Sequence, residues 1–118
     1  MYEDISKLEV FKKAHAFTIQ IYKITQTFPK EELYSLISQL RRSAMSVPSN
    51  ITEGRARDTN ADYKRFLIIA RGSLEEARYQ LLLSKDIGYI EVDQYHELEG
   101  KAEEISKMLN SLIKKIIT

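Results

Sequence analysis

The stretch Tyr63–Ser84, YKRFLIIARGSLEEARYQLLLS, decides the fold class. Its Tyr63, Leu67, Ala70, Leu74, Ala77, Leu81 and Ser84 recur at alternating spacings of four and three. An α-helix turns once in about 3.6 residues, so these seven positions share one face, whereas a half-buried strand would alternate every second residue. Thr59-Asn60-Ala61-Asp62 just before the stretch resembles a capping box, with Asp in place of the usual Glu or Gln. Ile87-Gly88 just after it reads as a helix stop. A helix is predicted over 59–87.

The same spacing recurs on both sides. Val10, Ala14, Phe17, Ile21, Ile24 and Phe28 predict a helix over 6–27, ended by Pro29, because the residue before proline avoids the α region. Leu33, Ile37, Leu40, Ala44, Val47 and Ile51 predict a second over 31–55, with Glu31 and Glu32 at its positive end and Gly54 as its stop. Tyr95, Leu98, Ala102, Ile105, Leu109, Leu112 and Ile116 predict a fourth over 91–117, with Lys114 and Lys115 in the last turn. Four such stripes with short connections predict an all-α fold, an antiparallel up-down-up-down four-helix bundle with left-handed packing, as one domain over 1–118. Leu8, Phe11, Leu36, Met45, Phe66 and Ile69 lie off the stripes, so the apolar faces are either wide or meant for another subunit.

Composition excludes several function classes. The chain has 118 residues, a net charge of +1 and no cysteine, so disulfides and thiolate metal sites are absent. The N-terminus MYEDISKLEVFKKAH has no apolar core of a secretory signal, and no apolar run reaches the roughly 20 residues that cross a bilayer. A cytoplasmic location without membrane association is expected. A di-iron bundle needs Glu-x-x-His on two helices, and Asp93-Gln94-Tyr95-His96 is the one near match, at a helix start. His15 has no carboxylate three residues before it. No Gly-x-Ser-x-Gly elbow or Gly-rich phosphate loop occurs. Glu75-Glu76 and Glu103-Glu104 are sequence neighbours that diverge on a helix rather than converge as an acid/base pair. The expectation is no catalytic residue, no metal and no cofactor.

The charge is unevenly placed. All seven arginines lie between Arg41 and Arg78, where eight basic residues face five acidic ones. Outside that stretch every basic residue is Lys. Guanidinium makes planar bidentate contacts with carboxylates or phosphates, so this cluster suits ion pairs or phosphate binding, and the sequence does not separate them. The candidate nucleic-acid contacts are Arg41, Arg42, Arg55, Arg57, Lys64, Arg65, Arg71 and Arg78. Lys64, Arg71 and Arg78 are seven apart and form one basic flank, whose alternative use is to pair with Glu53, Glu75 or Glu76.

A second group has a structural reading. Pro48 interrupts the second helix, and a proline there removes a backbone donor and is expected to kink the helix. Ser46, Asn50 and Glu53 lie around it, and Ser or Asn side chains are expected to satisfy the freed carbonyl. Gly54, Gly72, Ser73 and Glu76 complete this polar and interface set. Gly72 stands mid-helix, where Gly costs about 1 kcal/mol relative to Ala, so a close approach by another helix or a ligand is expected there.

LEVFKKAH (8–15), IYKITQTFP (21–29), QLRRSAMSVPSNITEGRAR (39–57) and YKRFLIIARGSLEEA (63–77) resemble the bacterial four-helix bundle family encoded in intervening sequences of 23S rRNA genes. The resemblance implies a homopentamer without catalysis, with structured RNA or a ribosomal or retroelement protein as partner. It carries the family's polar motif onto Arg41, Arg42, Asn50, Glu53, Arg65, Arg71 and Ser73. The expected function is RNA binding by the arginine-rich face of helices two and three. The alternative is a protein-interaction scaffold whose arginines pair across subunit contacts.

Overall fold

The computed structural model describes residues 8–118. Four helices form α1 (Glu9–Thr25), α2 (Ser38–Arg55), α3 (Asn60–Asp86) and α4 (Val92–Lys115), with no strand among the described residues. The expected start of the first helix at Ser6 lies outside them. α3 begins as its capping residues imply, since Thr59 Oγ1 accepts the Asp62 backbone N–H at 3.1 Å. It ends at Gly88, where φ is +86°. The N–H groups of Gly88 and Tyr89 return to the carbonyls of Lys85 (3.0 Å) and Ser84 (2.8 Å), closing the helix in a Schellman motif.

The start of the second helix departs from the expectation. The segment Lys30–Glu32 forms a 3₁₀ turn and Leu33–Ile37 a π turn before α2 begins. A π turn takes up an extra residue, so positions before it fall out of phase with the stripe after it. Leu33, read as an inward residue, is therefore 45% exposed, while Leu36 and Ile37 are buried.

α1 packs on α2, α2 on α3 and α3 on α4, and α4 closes on α1. Contacts of Thr25 with Arg41, Gly54 with Phe66 and Arg78 with Glu99 join late positions of one helix to early positions of the next, so successive helices are antiparallel. The resulting four-helix bundle measures 45 × 24 × 21 Å. Its core alternates large residues (Phe17, Ile21, Leu40, Leu67, Leu74, Leu81, Ile105, Leu109) with Ala14, Ala44, Ala70, Ala77 and Ala102. Small residues between large ones let four helices approach without voids. Of the off-stripe residues, Leu36 and Phe66 join the buried set, whereas Met45 and Ile69 are 47% and 42% exposed.

α2 runs through Pro48 as one helix, with Pro48 buried. The missing donor frees the carbonyl of Ala44, and the partner differs from the expected Ser or Asn. Thr18 of α1 supplies it, its hydroxyl lying 3.1 Å from the Ala44 oxygen and 2.8 Å from the Ala14 oxygen. Asn50 instead donates to the Ser46 carbonyl (2.8 Å) and Ser46 Oγ (2.9 Å), and Ser46 Oγ lies 2.8 Å from Ser73 Oγ. This chain joins α2 to α3. Gly54 is buried in the same seam, where an added Cβ would lie 2.7 Å from Phe66 Cβ.

Candidate nucleic-acid interface

The seven arginines do not form one patch, because α2 spreads them along the bundle. Arg42 and Arg55 are thirteen residues apart on one helix, about 20 Å along its axis. Arg41 is a half-buried brace. Its Nε donates to Thr25 Oγ1 at 2.8 Å, its Nη2 to the Tyr22 carbonyl at 3.3 Å, and its guanidinium lies 4.8 Å from the Tyr22 ring centre. It thus serves the C-terminal carbonyls of α1, where positive charge is favoured.

Arg71 and Arg78 face α4, as their seven-residue spacing with Lys64 implies. Arg71 donates to Asn110 Oδ1 at 2.8 Å. Arg78 lies between two carboxylates, with its Nε 3.2 Å from both oxygens of Glu99 and its Nη1 2.9 Å from Glu75. Its hydrogen bonds to Glu99 make this guanidinium hold its proton more firmly than usual. Of the expected partners Glu75 serves Arg78 and Glu53 serves Arg57, at 2.8 Å, whereas Glu76 is exposed. Glu99 and Asn110 were invisible beforehand, because no local spacing links them to α3.

The remaining arginines divide between the two ends. Arg42 is exposed, with no hydrogen bond or ion pair to another described residue. Arg57 and Arg65 sit at the α2–α3 corner, each guanidinium 4.8 Å from the ring centre of buried Phe66. Arg55 and Lys64 are half-buried at the same corner. Asn60 Nδ2 donates to the Ile117 carbonyl at 3.3 Å, so the last turn of α4, with Lys114 and Lys115, lies at this end too.

The folded arrangement is polar along its length. The half that carries the α2–α3 corner comprises residues 8–17, 47–73 and 104–118. Ten basic and five acidic side chains give it a charge of +5. The other half, residues 18–46 and 74–103, holds seven basic and ten acidic side chains, a charge of −3. Arg41, Arg42 and Arg78 belong to the acidic half, and Lys12, Lys13, Lys107, Lys114 and Lys115 join the basic one. Among the described residues no three His, Cys, Asp or Glu side chains are placed to hold a metal ion, and no helix is long and apolar enough to cross a membrane. His15 stacks on Phe11 and His96 meets the Tyr95 ring.

Fold and charge together define a small helical bundle with one basic end. The chain belongs to the 23S rRNA-intervening sequence protein family, whose model matches residues 6–111. A similar solved structure is a protein of unknown function from the S23 ribosomal protein family of Bacteroides thetaiotaomicron VPI-5482. It is 30% identical, with a TM-score of 0.81, and the match covers 90% of this chain and 99% of that one. No curated protein matches the chain.

Proposed function

We propose that the chain is a non-enzymatic, cytoplasmic helical bundle that binds nucleic acid, structured RNA foremost, and assembles with copies of itself, in the pentameric form the resemblance implies. The observation that carries the nucleic-acid reading is the separation of charge into a +5 half and a −3 half. The chain's net charge of +1 conceals this separation. A polyanion is drawn to a local basic surface, and the attraction weakens with salt as counterions cease to be released. The family's name, 23S rRNA-intervening sequence protein, points the same way.

The assembly reading rests on unpartnered outer surface. Met45 on α2 and Ile68, Ile69, Tyr79 and Leu82 on α3 are exposed, and Gly72 has nothing within 4 Å of an added Cβ. The close approach expected at Gly72 therefore does not come from the described residues of the chain. Measured from the Ser46–Ser73 contact, exposed Arg42 and Glu76 stand at one height on the bundle. In our reading they pair between copies related by rotation about a parallel axis.

Fluorescence anisotropy with a structured RNA, repeated across salt concentrations, tests binding. The logarithm of affinity should fall linearly with the logarithm of salt concentration. Absence of binding at low salt removes the nucleic-acid reading. Light scattering on the same samples tests assembly, and monomers throughout would remove that part.

A further inference from the structure

Accepting that the chain binds nucleic acid, we infer that the ligand is a duplex, held end-on through its phosphates by the basic end of the bundle rather than along the α2–α3 face. Two observations locate the contact. Of the arginines expected on an α2–α3 face, Arg41 turns to α1 and Arg71 and Arg78 to α4, and all three are half-buried and already bonded there. The end, by contrast, collects side chains that stay exposed: Arg57 and Arg65 at the α2–α3 corner, which pair at the surface with Glu53 and Asp62, and Lys114 and Lys115 from α4, a segment distant in sequence.

The kind of ligand follows from where the aromatic rings lie. Proteins that hold single strands interleave basic groups with open aromatic rings on which bases stack. Here the two are segregated. The exposed tyrosines Tyr22, Tyr34 and Tyr79 all lie in the acidic half. At the basic end Phe66 is buried and its ring already carries the guanidinium groups of Arg57 and Arg65. The other rings of the basic half are engaged as well: half-buried Phe11 stacks on His15 at 5.8 Å and half-buried Tyr63 packs against the core, so that end offers charge and little open ring surface among the described residues. A duplex keeps its bases stacked on each other and presents phosphates outward, and double-stranded RNA is recognised largely through shape and backbone. Among the described residues no helix or ribbon projects from this end to enter a groove, so their contact is to phosphates and not base edges.

The test compares an RNA duplex of mixed sequence with either of its single strands, using wild type and two double variants. Lys114→Gln with Lys115→Gln neutralises the end. Lys30→Gln with Lys101→Gln neutralises the same number of charges in the acidic half. All four positions are exposed, and circular dichroism confirms that each variant is folded. The wild type should bind duplex at least tenfold more tightly than single strand. The end variant should lose about tenfold in duplex affinity and lower the salt slope by roughly 1 to 2. The acidic-half variant should match wild type. Equal binding of single strand and duplex overturns the duplex assignment. Loss of affinity in the acidic-half variant with none in the end variant overturns the location. Either result leaves nucleic-acid binding itself standing, whereas no binding of either probe at low salt removes the underlying reading.

Discussion

Pro48 shows how one residue is carried by another helix. It removes the donor that the Ala44 carbonyl would use, and Thr18 of α1 restores one. Thr18→Val keeps the shape and leaves that buried carbonyl bare, an omission that costs about 1–3 kcal/mol. In a Pro48→Ala background the new N–H can bond to Ala44, so the same change should cost less. A double-mutant cycle by urea unfolding should therefore return a coupling of about 0.5–1.5 kcal/mol, and additive values would count against the assignment. The glycines give an opposite pair. Gly54→Ala forces a methyl to 2.7 Å from Phe66 Cβ in the α2–α3 seam and should destabilise by about 1–3 kcal/mol. Gly72→Ala meets nothing within the chain and should raise protomer stability by about 0.5–1 kcal/mol. Both values come from one set of unfolding curves at fixed protein concentration. The sequence read Gly54 as a helix stop and Gly72 as the place of a close approach. Among the described residues the close approach falls at Gly54 instead, because a helical stripe does not say which neighbour comes close.

Among the elements, the corner before α2 is the least regular, and it is latched to the loop after α3. Tyr89 donates to Glu32 Oε2 at 2.7 Å, Ser35 donates to Glu32 Oε1 at 2.6 Å, and Phe28 packs on Tyr89 with ring centres 5.3 Å apart. The bond from Ser35, then that from Tyr89, holds the Glu32 carboxyl below the usual carboxylate range. A group with a depressed folded pKa stabilises the fold above its unfolded value, about 4.3 for Glu, and loses that contribution as pH falls through the folded value. Tyr89→Phe should thus be less stable than wild type at neutral pH, with the gap narrowing as acid protonates Glu32. A gap that stays constant from pH 7 to pH 3 in thermal melts would show that the latch contributes nothing through charge. Of this corner, the sequence disclosed the stop at Pro29 and the acidic start, but not the π turn. Helical periodicity assumes an unbroken register, and Leu33 was misplaced for that reason.

At the scale of the whole molecule, the four 3.5-residue stripes carried the class of fold. Burying an apolar stripe has few solutions for helices of this length, and nearly every stripe residue after Leu33 is buried or packed against the core. The absence of any Gly-rich phosphate loop or nucleophile elbow was equally plain from the residues. The proposed function was legible only as a bias, namely arginines confined to 41–78. Antiparallel folding then redistributed them. Arg41, Arg71 and Arg78 became internal braces, Arg42 went to the acidic half, and lysines from both flanks of the sequence joined the basic end. Helix identity, caps and inward faces are local properties, set by spacings of three and four residues, and the sequence by itself determined them. The partner of Ala44, the pairing of Arg78 with Glu99 and the +5 end depend on which distant segments meet. Only the tertiary structure decided those, because electrostatic and hydrogen-bond contacts act over a few ångströms in space, whatever the separation along the chain.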